Sequence, residues 1–191
     1  PSAGYIQAYP PGVRENGGQY SHGAVWALMA QAKLAALTPL DHEARELPYR
    51  YFTYLSPAHR AQHATCGETY GLEPYAMAGD VYTQPPYVER GGWSWYTGAA
   101  AWMHRAAIES IFGLQQTAET LTFNPCLPKA WQRAELTLRR DETTLHFVFL
   151  RGTASQLQAE ADALGAEILP PSTALHWKAV GKVASFIVPL T

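Results

Sequence analysis

A chain of 191 residues, 47% hydrophobic and 16% charged, has a globular composition and the length for one large domain or two small ones. A net charge of -2 excludes the basic footprint of a nucleic-acid or anionic-lipid binder, and no apolar run reaches the roughly 20 residues of a membrane span. Cys66 and Cys126 are too few for a disulfide framework and lack metal-ligand spacing, which fits a reducing compartment, a single bridge being the alternative.

The start, Pro1-Ser2-Ala3-Gly4-Tyr5, has neither an initiator Met nor a signal-peptide pattern and reads as the cut end of a longer protein. Pro10-Pro11-Gly12 through Gln19 is irregular, because prolines and the Gly17-Gly18 pair break both helix and strand. Ser21 is the expected N-cap of a helix over 22–37, with Val25, Leu28, Met29, Ala32 and Ala36 on one face. Thr38-Pro39 starts a second helix that runs to about Leu55 and that Pro48 kinks or splits. Residues 58–70 read as a polar, His-rich loop. Glu73 to Tyr82 reads as a short buried helix, and Thr83 to Trp95 as loop again. Thr97 to Phe112 is the clearest helix, capped by Thr97 and closed by Gly113. Beyond residue 118 the signals are β: a hairpin turning at Arg140–Thr143, then strands over 156–161, 167–169, 173–177 and 184–190. The expected architecture is therefore α+β and multidomain, with helices and long loops over 1–117 and an all-β sandwich over 118–191.

Three constellations could carry chemistry. Arg14-Glu15-Asn16-Gly17-Gly18-Gln19-Tyr20-Ser21-His22 packs polar side chains into a Gly-rich turn before a helix start, whose unpaired N–H groups favour anions such as phosphate. The structural alternative, an Arg14–Glu15 surface pair and a His22 satisfied in the first turn, weighs about equally. Gly91-Gly92-Trp93-Ser94-Trp95-Tyr96-Thr97-Gly98 offers close backbone approach and a second helix start, or simply a cap at Thr97. Glu73, flanked by Tyr70 and Tyr75, and Asp80 suit sugar hydroxyls or acid–base work, with structural pairing favoured for Asp80. Aromatic residues make up 12% of the chain and cluster with Gly and Pro before residue 103, a pattern suited to sugar rings; taken alone, loop packing without a ligand is the favoured explanation. The histidines form no metal-ligand pattern, and no Ser sits in a nucleophile elbow.

The ordered runs resemble the family 94 glycoside phosphorylases. They are Gly4-Tyr5-Ile6, Tyr9-Pro10-Pro11-Gly12-Val13-Arg14-Glu15-Asn16-Gly17-Gly18-Gln19-Tyr20 with His22, Leu55-Ser56-Pro57, Glu73-Pro74-Tyr75, Gly79-Asp80-Val81-Tyr82, Arg90-Gly91-Gly92-Trp93, Trp95-Tyr96-Thr97-Gly98, and Pro125-Cys126-Leu127-Pro128. Within the family, the Tyr-Pro-Pro-Gly and Gly-Gly-Gln-Tyr versions are most similar to the phosphorylase region of cyclic β-1,2-glucan synthases. The resemblance implies the last helices of an (α/α)6 barrel followed by a jelly-roll-like β-sandwich. It implies inverting phosphorolysis of a β-linked glucan, expected to be β-1,2-linked, by inorganic phosphate as co-substrate, giving α-glucose 1-phosphate with no cofactor and no metal.

By resemblance His22, Thr97 and Gly98 bind phosphate, and Arg14, Glu15, Asn16, Gln19, Glu73, Trp93 and Tyr96 line the sugar site. The family's general-acid Asp and a phosphate-binding Arg belong to motifs not found in this sequence, so the piece alone is expected to be inactive. Ala99 stands where Ser is commoner, and Tyr87 where His is often found. The implied partners are a β-glucan or oligosaccharide, inorganic phosphate and the rest of the parent polypeptide, with a homodimer left open. Cytoplasmic placement is expected without direct membrane contact by this segment, the parent being compatible with an inner-membrane anchor. The alternatives are a non-catalytic glucan-binding remnant and an (α/α)6 hydrolase that uses water.

Overall fold

The computed structural model describes residues 2–38 and 41–190, in two compact units, Pro1–Ala107 and Ile108–Thr191. Among the described residues no helix is long and apolar enough to cross a membrane.

The first unit opens with a 3-10 turn at Gly4–Ala8 and continues as β1 (Gln19–Tyr20), α1 (Ser21–Leu37), α2 (His42–Leu55), α3 (Pro57–Arg60), α4 (Ala64–Tyr70), β2 (Asp80–Val81), β3 (Gly91–Gly92) and α5 (Thr97–Ala106). Helix α1 packs against both α2 and α5. It buries Val25, Leu28, Ala32 and Ala35 at helical spacing, while Met29 and Ala36, expected on that face, are half-buried. Ser21 does not cap α1. It is the first helical residue, and its hydroxyl donates to the Ala78 carbonyl at 2.7 Å.

Helix α2 is capped by the Asp41 carboxylate, which accepts from Ala44 N–H at 3.0 Å; Pro39, the expected first residue, lies outside the described residues. Pro48 neither splits nor ends α2: it is buried within one continuous helix, at the cost of one backbone bond.

Two further expectations fail, each over a whole stretch of this unit. Residues 58–70 are not loop, since Pro57 opens α3 at its first position and Gly71, at φ 67°, closes α4. Residues 73–82 are not helix, although Ala76, Met77, Ala78 and Val81 are buried as expected. Remote partners take the backbone bonds that a helix would make internally: Ser21 N–H donates to Gly79, Gly79 N–H to Gly92 and Tyr96 N–H to Met77, each at 2.9 Å. The result is an antiparallel ribbon, β1-β2-β3, with Asp80 opposite both Tyr20 and Gly92.

Helix α1 is apolar almost all round, and its far side leaves Leu34 57% and Leu37 77% exposed. The chain should therefore self-associate. Leu34→Glu with Leu37→Glu should reduce that association without loss of helix, which sedimentation velocity beside circular dichroism would read; a monodisperse, cooperatively melting wild-type monomer would count against it.

A π-helical turn, Ala107–Ile111, extends α5 to within a residue of the expected end, and Gly113 at φ 72° stops it. The second unit then contains β4 (Leu114–Gln116), β5 (Thr120–Phe123), β6 (Arg133–Arg140), β7 (Thr143–Leu150), α6 (Ala154–Leu164), β8 (Glu167–Ile168), β9 (Leu175–His176), a 3-10 turn (Trp177–Ala179) and β10 (Val183–Pro189). The expected β6–β7 hairpin is present, with Leu136 opposite Phe147 and Leu138 opposite Leu145.

This unit is not all-β. Residues 156–161, expected as a strand, lie inside α6, which Thr153 and Gln156 start with a reciprocal capping box. Ala161 on α6 packs under Val148 and Ile187. A jelly roll pairs its strands antiparallel, whereas β10 runs parallel to both β7 and β8 in the order β6-β7-β10-β8. A smaller antiparallel sheet, β4-β5-β9, meets the larger one through Phe123, whose ring centroid lies 4.6 Å from that of Phe147.

Candidate functional site

The chemistry-bearing residues of the first unit gather where the ribbon meets the starts of α1 and α5. His22 occupies the first turn of α1, and its imidazole lies against Gly98 in the first turn of α5. A methyl group at Gly98 would come within 2.9 Å of His22 Nε2 and 3.1 Å of Cε1, so only glycine permits this approach. The ring also meets Tyr96 edge-on, with centroids 5.2 Å apart. Its Nδ1 is buried and has no hydrogen-bond partner among the described residues. The Nε2 edge of the ring is the one beside the start of α5, a place suited to an anion. Thr97 is not the cap of α5: it is the first helical residue and is exposed.

Arg14 is the second centre. It is only 7% exposed, with a left-handed backbone at φ 52°. The Asp80 carboxylate holds that conformation, its Oδ2 accepting from Arg14 N–H at 2.6 Å. The guanidinium lies 3.7 Å from the centre of the Trp93 ring and 5.5 Å from that of Tyr96. Its Nη2 is buried and unpartnered among the described residues, so one strong donor is left unsatisfied in the interior. Trp93 is 65% exposed on its other side, which leaves an aromatic face open above a buried cation. Both Trp93 and Trp95 carry positive φ, 59° and 58°, a conformation bulky residues adopt only where the surroundings enforce it.

Tyr20 and Tyr96 join their hydroxyls at 3.0 Å. That bond, then burial, pushes the Tyr20 phenol up to about 12, so it stays protonated across the neutral range. Glu73 behaves oppositely. Hydrogen bonds from its own backbone N–H, from the Ser94 hydroxyl at 2.8 Å and from the Trp95 indole at 3.2 Å hold its carboxyl below the usual range. It is a fixed anion and acceptor, unsuited to donating a proton. Asp80 is pushed upward by burial, against the pull of the Arg14 N–H and guanidinium.

The structure thus brings His22, Gly98, Tyr96, Trp93 and Arg14 together, with Glu73 anchoring the neighbouring Ser94–Trp95 turn. Of the other expected site residues, two are engaged by neighbours and one is exposed. Asn16 donates to the Tyr9 carbonyl at 2.9 Å, Gln19 accepts from Arg60 at 2.9 Å, and Glu15 is exposed. Tyr20, in the first motif but assigned no role there, supplies the hydroxyl partner of Tyr96. No group of His, Cys, Asp and Glu among the described residues could hold a metal ion.

Comparison with known proteins places the chain in a family. A family model described as the catalytic domain of the glycosyl hydrolase 94 superfamily matches residues 2–113. The chain is 42% identical over 141 residues to the cyclic beta-(1,2)-glucan synthase NdvB of Rhizobium meliloti (strain 1021), covering 74% of the chain and 5% of that protein. It is 28% identical over 144 residues to the N,N'-diacetylchitobiose phosphorylase of Vibrio furnissii, covering 75% and 17%. It is likewise 28% identical over 138 residues to the solabiose phosphorylase of Paenibacillus borealis, covering 71% and 16%. The chain therefore spans between 5% and 17% of the length of these relatives.

Proposed function

The chain belongs to the glycosyl hydrolase 94 superfamily, whose catalytic domain accounts for more than half of it, and from that premise we propose that it forms part of an inverting phosphorylase site acting on a β-1,2-glucan. Inorganic phosphate attacks the anomeric carbon from the face opposite the glycosidic bond, taking the place of the water in an inverting hydrolase and giving α-glucose 1-phosphate. A carboxylic acid contributed by another segment of the parent protonates the leaving oxygen. Glu73 does not suit that task, since its hydrogen bonds hold it ionised.

The observation that carries the reading is the unpartnered imidazole of His22 set against Gly98 at the start of α5. In this reading the His22 imidazole, whose Nε2 edge lies against Gly98, and the hydroxyl and first amides of Thr97 and Gly98 hold the phosphate oxygens, with their charge partly neutralised by the helix start. The buried Arg14 guanidinium beneath Trp93 gives the sugar an aromatic platform polarised from below. The hydrogen-bonded Tyr20–Tyr96 hydroxyls can donate to and accept from a sugar. The all-round apolar α1 supports the finer architectural reading that these helices complete an (α/α)6 barrel with helices of the parent. The 191-residue chain by itself should not turn over substrate.

The test is glucose 1-phosphate formation by the intact parent protein from β-1,2-gluco-oligosaccharides, with and without phosphate, beside His22→Ala. Removing a charge-assisted donor should lower phosphate-dependent turnover by roughly 10- to 100-fold, mostly through a higher KM for phosphate. Phosphate-independent cleavage would point to a hydrolase. Retained glucan binding without turnover in the wild type would leave a binding remnant.

A further inference from the structure

A second cavity of about 420 Å³, lined by polar and apolar surface alike, lies in the first unit, between the ends of α2, α3 and α4 and the loop before β3. Its size is that of a small-molecule site. Its lining includes Tyr54, His59, Arg60, Gln62, Tyr70 and Glu89, none of which the proposed reaction uses.

Three observations bear on its ligand. Arg60 is already fixed, its Nε donating to the Tyr54 carbonyl at 2.7 Å and its Nη2 to Gln19 Oε1 at 2.9 Å, so it meets a ligand without ordering cost. His59 Nδ1 is buried and has no partner among the described residues, while its Nε2 faces the Tyr49 hydroxyl at 3.4 Å. Tyr54 is half-exposed and offers a ring at the mouth. A cation, an anion, an amide and an open aromatic ring together do not select a ligand of either charge. They select a neutral polyol with an apolar face, which is the surface of a pyranose. The Arg60–Gln19 hydrogen bond ties this cavity to β1, the strand that carries Tyr20 into the first site.

We propose that the Tyr54–Arg60–Gln62 cavity is a distal glucan subsite, which binds glucosyl units of the same chain whose end is cleaved beside His22. The proposal rests on the reading above for the identity of the glucan, while the subsite itself is tested by binding alone. Long oligosaccharides reach both sites and short ones only the first.

Calorimetry on the intact parent, with β-1,2-linked gluco-oligosaccharides from disaccharide to hexasaccharide, reads the effect. Affinity should rise with length in the wild type. Tyr54→Ala should remove about tenfold from hexasaccharide affinity while leaving the disaccharide unchanged. Gln62→Ala, on the same wall, should act in the same direction, which guards against a local folding defect in the first variant. Cys66 provides a footprint, because its exposed thiol lines the cavity. Bound hexasaccharide should slow its alkylation by iodoacetamide several-fold, as followed by peptide mass, and bound disaccharide should not. Length-independent affinity in the wild type, an unchanged length dependence in both variants, or an unprotected Cys66 at saturation would each overturn the subsite. Phosphate-dependent turnover of the disaccharide, measured separately, reports on the phosphorylase reading and is indifferent to all three.

Discussion

Gly113→Ala unfolds the second unit, or lowers its stability by about 4 kcal/mol, while Gly165→Ala in the same unit costs only about 1 kcal/mol. Both glycines are left-handed, at φ 72° and φ 59°. They differ in what a methyl group would meet. At Gly165 nothing lies within 4 Å, so only the backbone preference is lost. At Gly113 the methyl would sit 2.1 Å from the Asn124 carbonyl oxygen and 2.6 Å from Pro125 nitrogen, which are main-chain atoms. They cannot swing aside, because Asn124 N–H donates to Gly113 and Cys126 N–H to Ile111, each at 2.9 Å. The clash therefore breaks the clamp that carries the chain from the π turn into β4 and β5. Hydrogen exchange resolved to the β4–β5 amides, beside a urea titration, separates the two variants. Equal losses at Gly113 and Gly165 would show that steric contact contributes nothing.

Asp80→Ala should cost the first unit about 3 kcal/mol, and Asp80→Asn no more than about 1 kcal/mol at neutral pH. Alanine leaves the buried Arg14 N–H without an acceptor and the guanidinium without its nearby carboxylate. The left-handed turn at Arg14 then loses the contact that fixes it. Asparagine keeps an oxygen for Arg14 N–H and removes a charge that burial disfavours. The wild-type pH dependence follows from the same cause. Burial raises the Asp80 carboxyl above its ordinary 3.8, so the folded state binds this proton more tightly than the unfolded chain. This contribution is complete below the ordinary carboxylate range and is lost as pH rises through the higher folded value. Urea midpoints should show that decline in the wild type and not in Asp80→Asn; parallel curves would remove Asp80 as its source.

Some of this architecture can be read from residue order. The β6–β7 hairpin is legible because Leu136 and Leu138 alternate with polar residues and face Phe147 and Leu145 across a polar turn. Helix α6 has its start and stop signals in Thr153, Gln156 and Gly165, which the reading of 156–161 as a strand passes over. The stretch 73–82 was not legible. Its burial follows from composition, yet its backbone partners, Ser21, Gly92 and Tyr96, lie far from it in sequence, and no local pattern links them to it. The site divides in the same way. His22 and Gly98 come from motifs at the starts of two helices, and only packing shows that they touch. The roles of Asn16 and Gln19 in the fold depend on Tyr9 and Arg60, which no local pattern links to them.

The order β6-β7-β10-β8 places the last strand in sequence between two earlier ones. During synthesis the β6–β7 hairpin leaves the ribosome first, and the main-chain edge of β7 stays open until residues 183–189 emerge. That edge runs through Leu145, Phe147, Val148 and Phe149, an apolar segment of high strand propensity with the features of an aggregation template. Nascent chains paused before β10 should therefore be the species most dependent on chaperones, and the yield of the second unit should follow the speed of translation across residues 151–189.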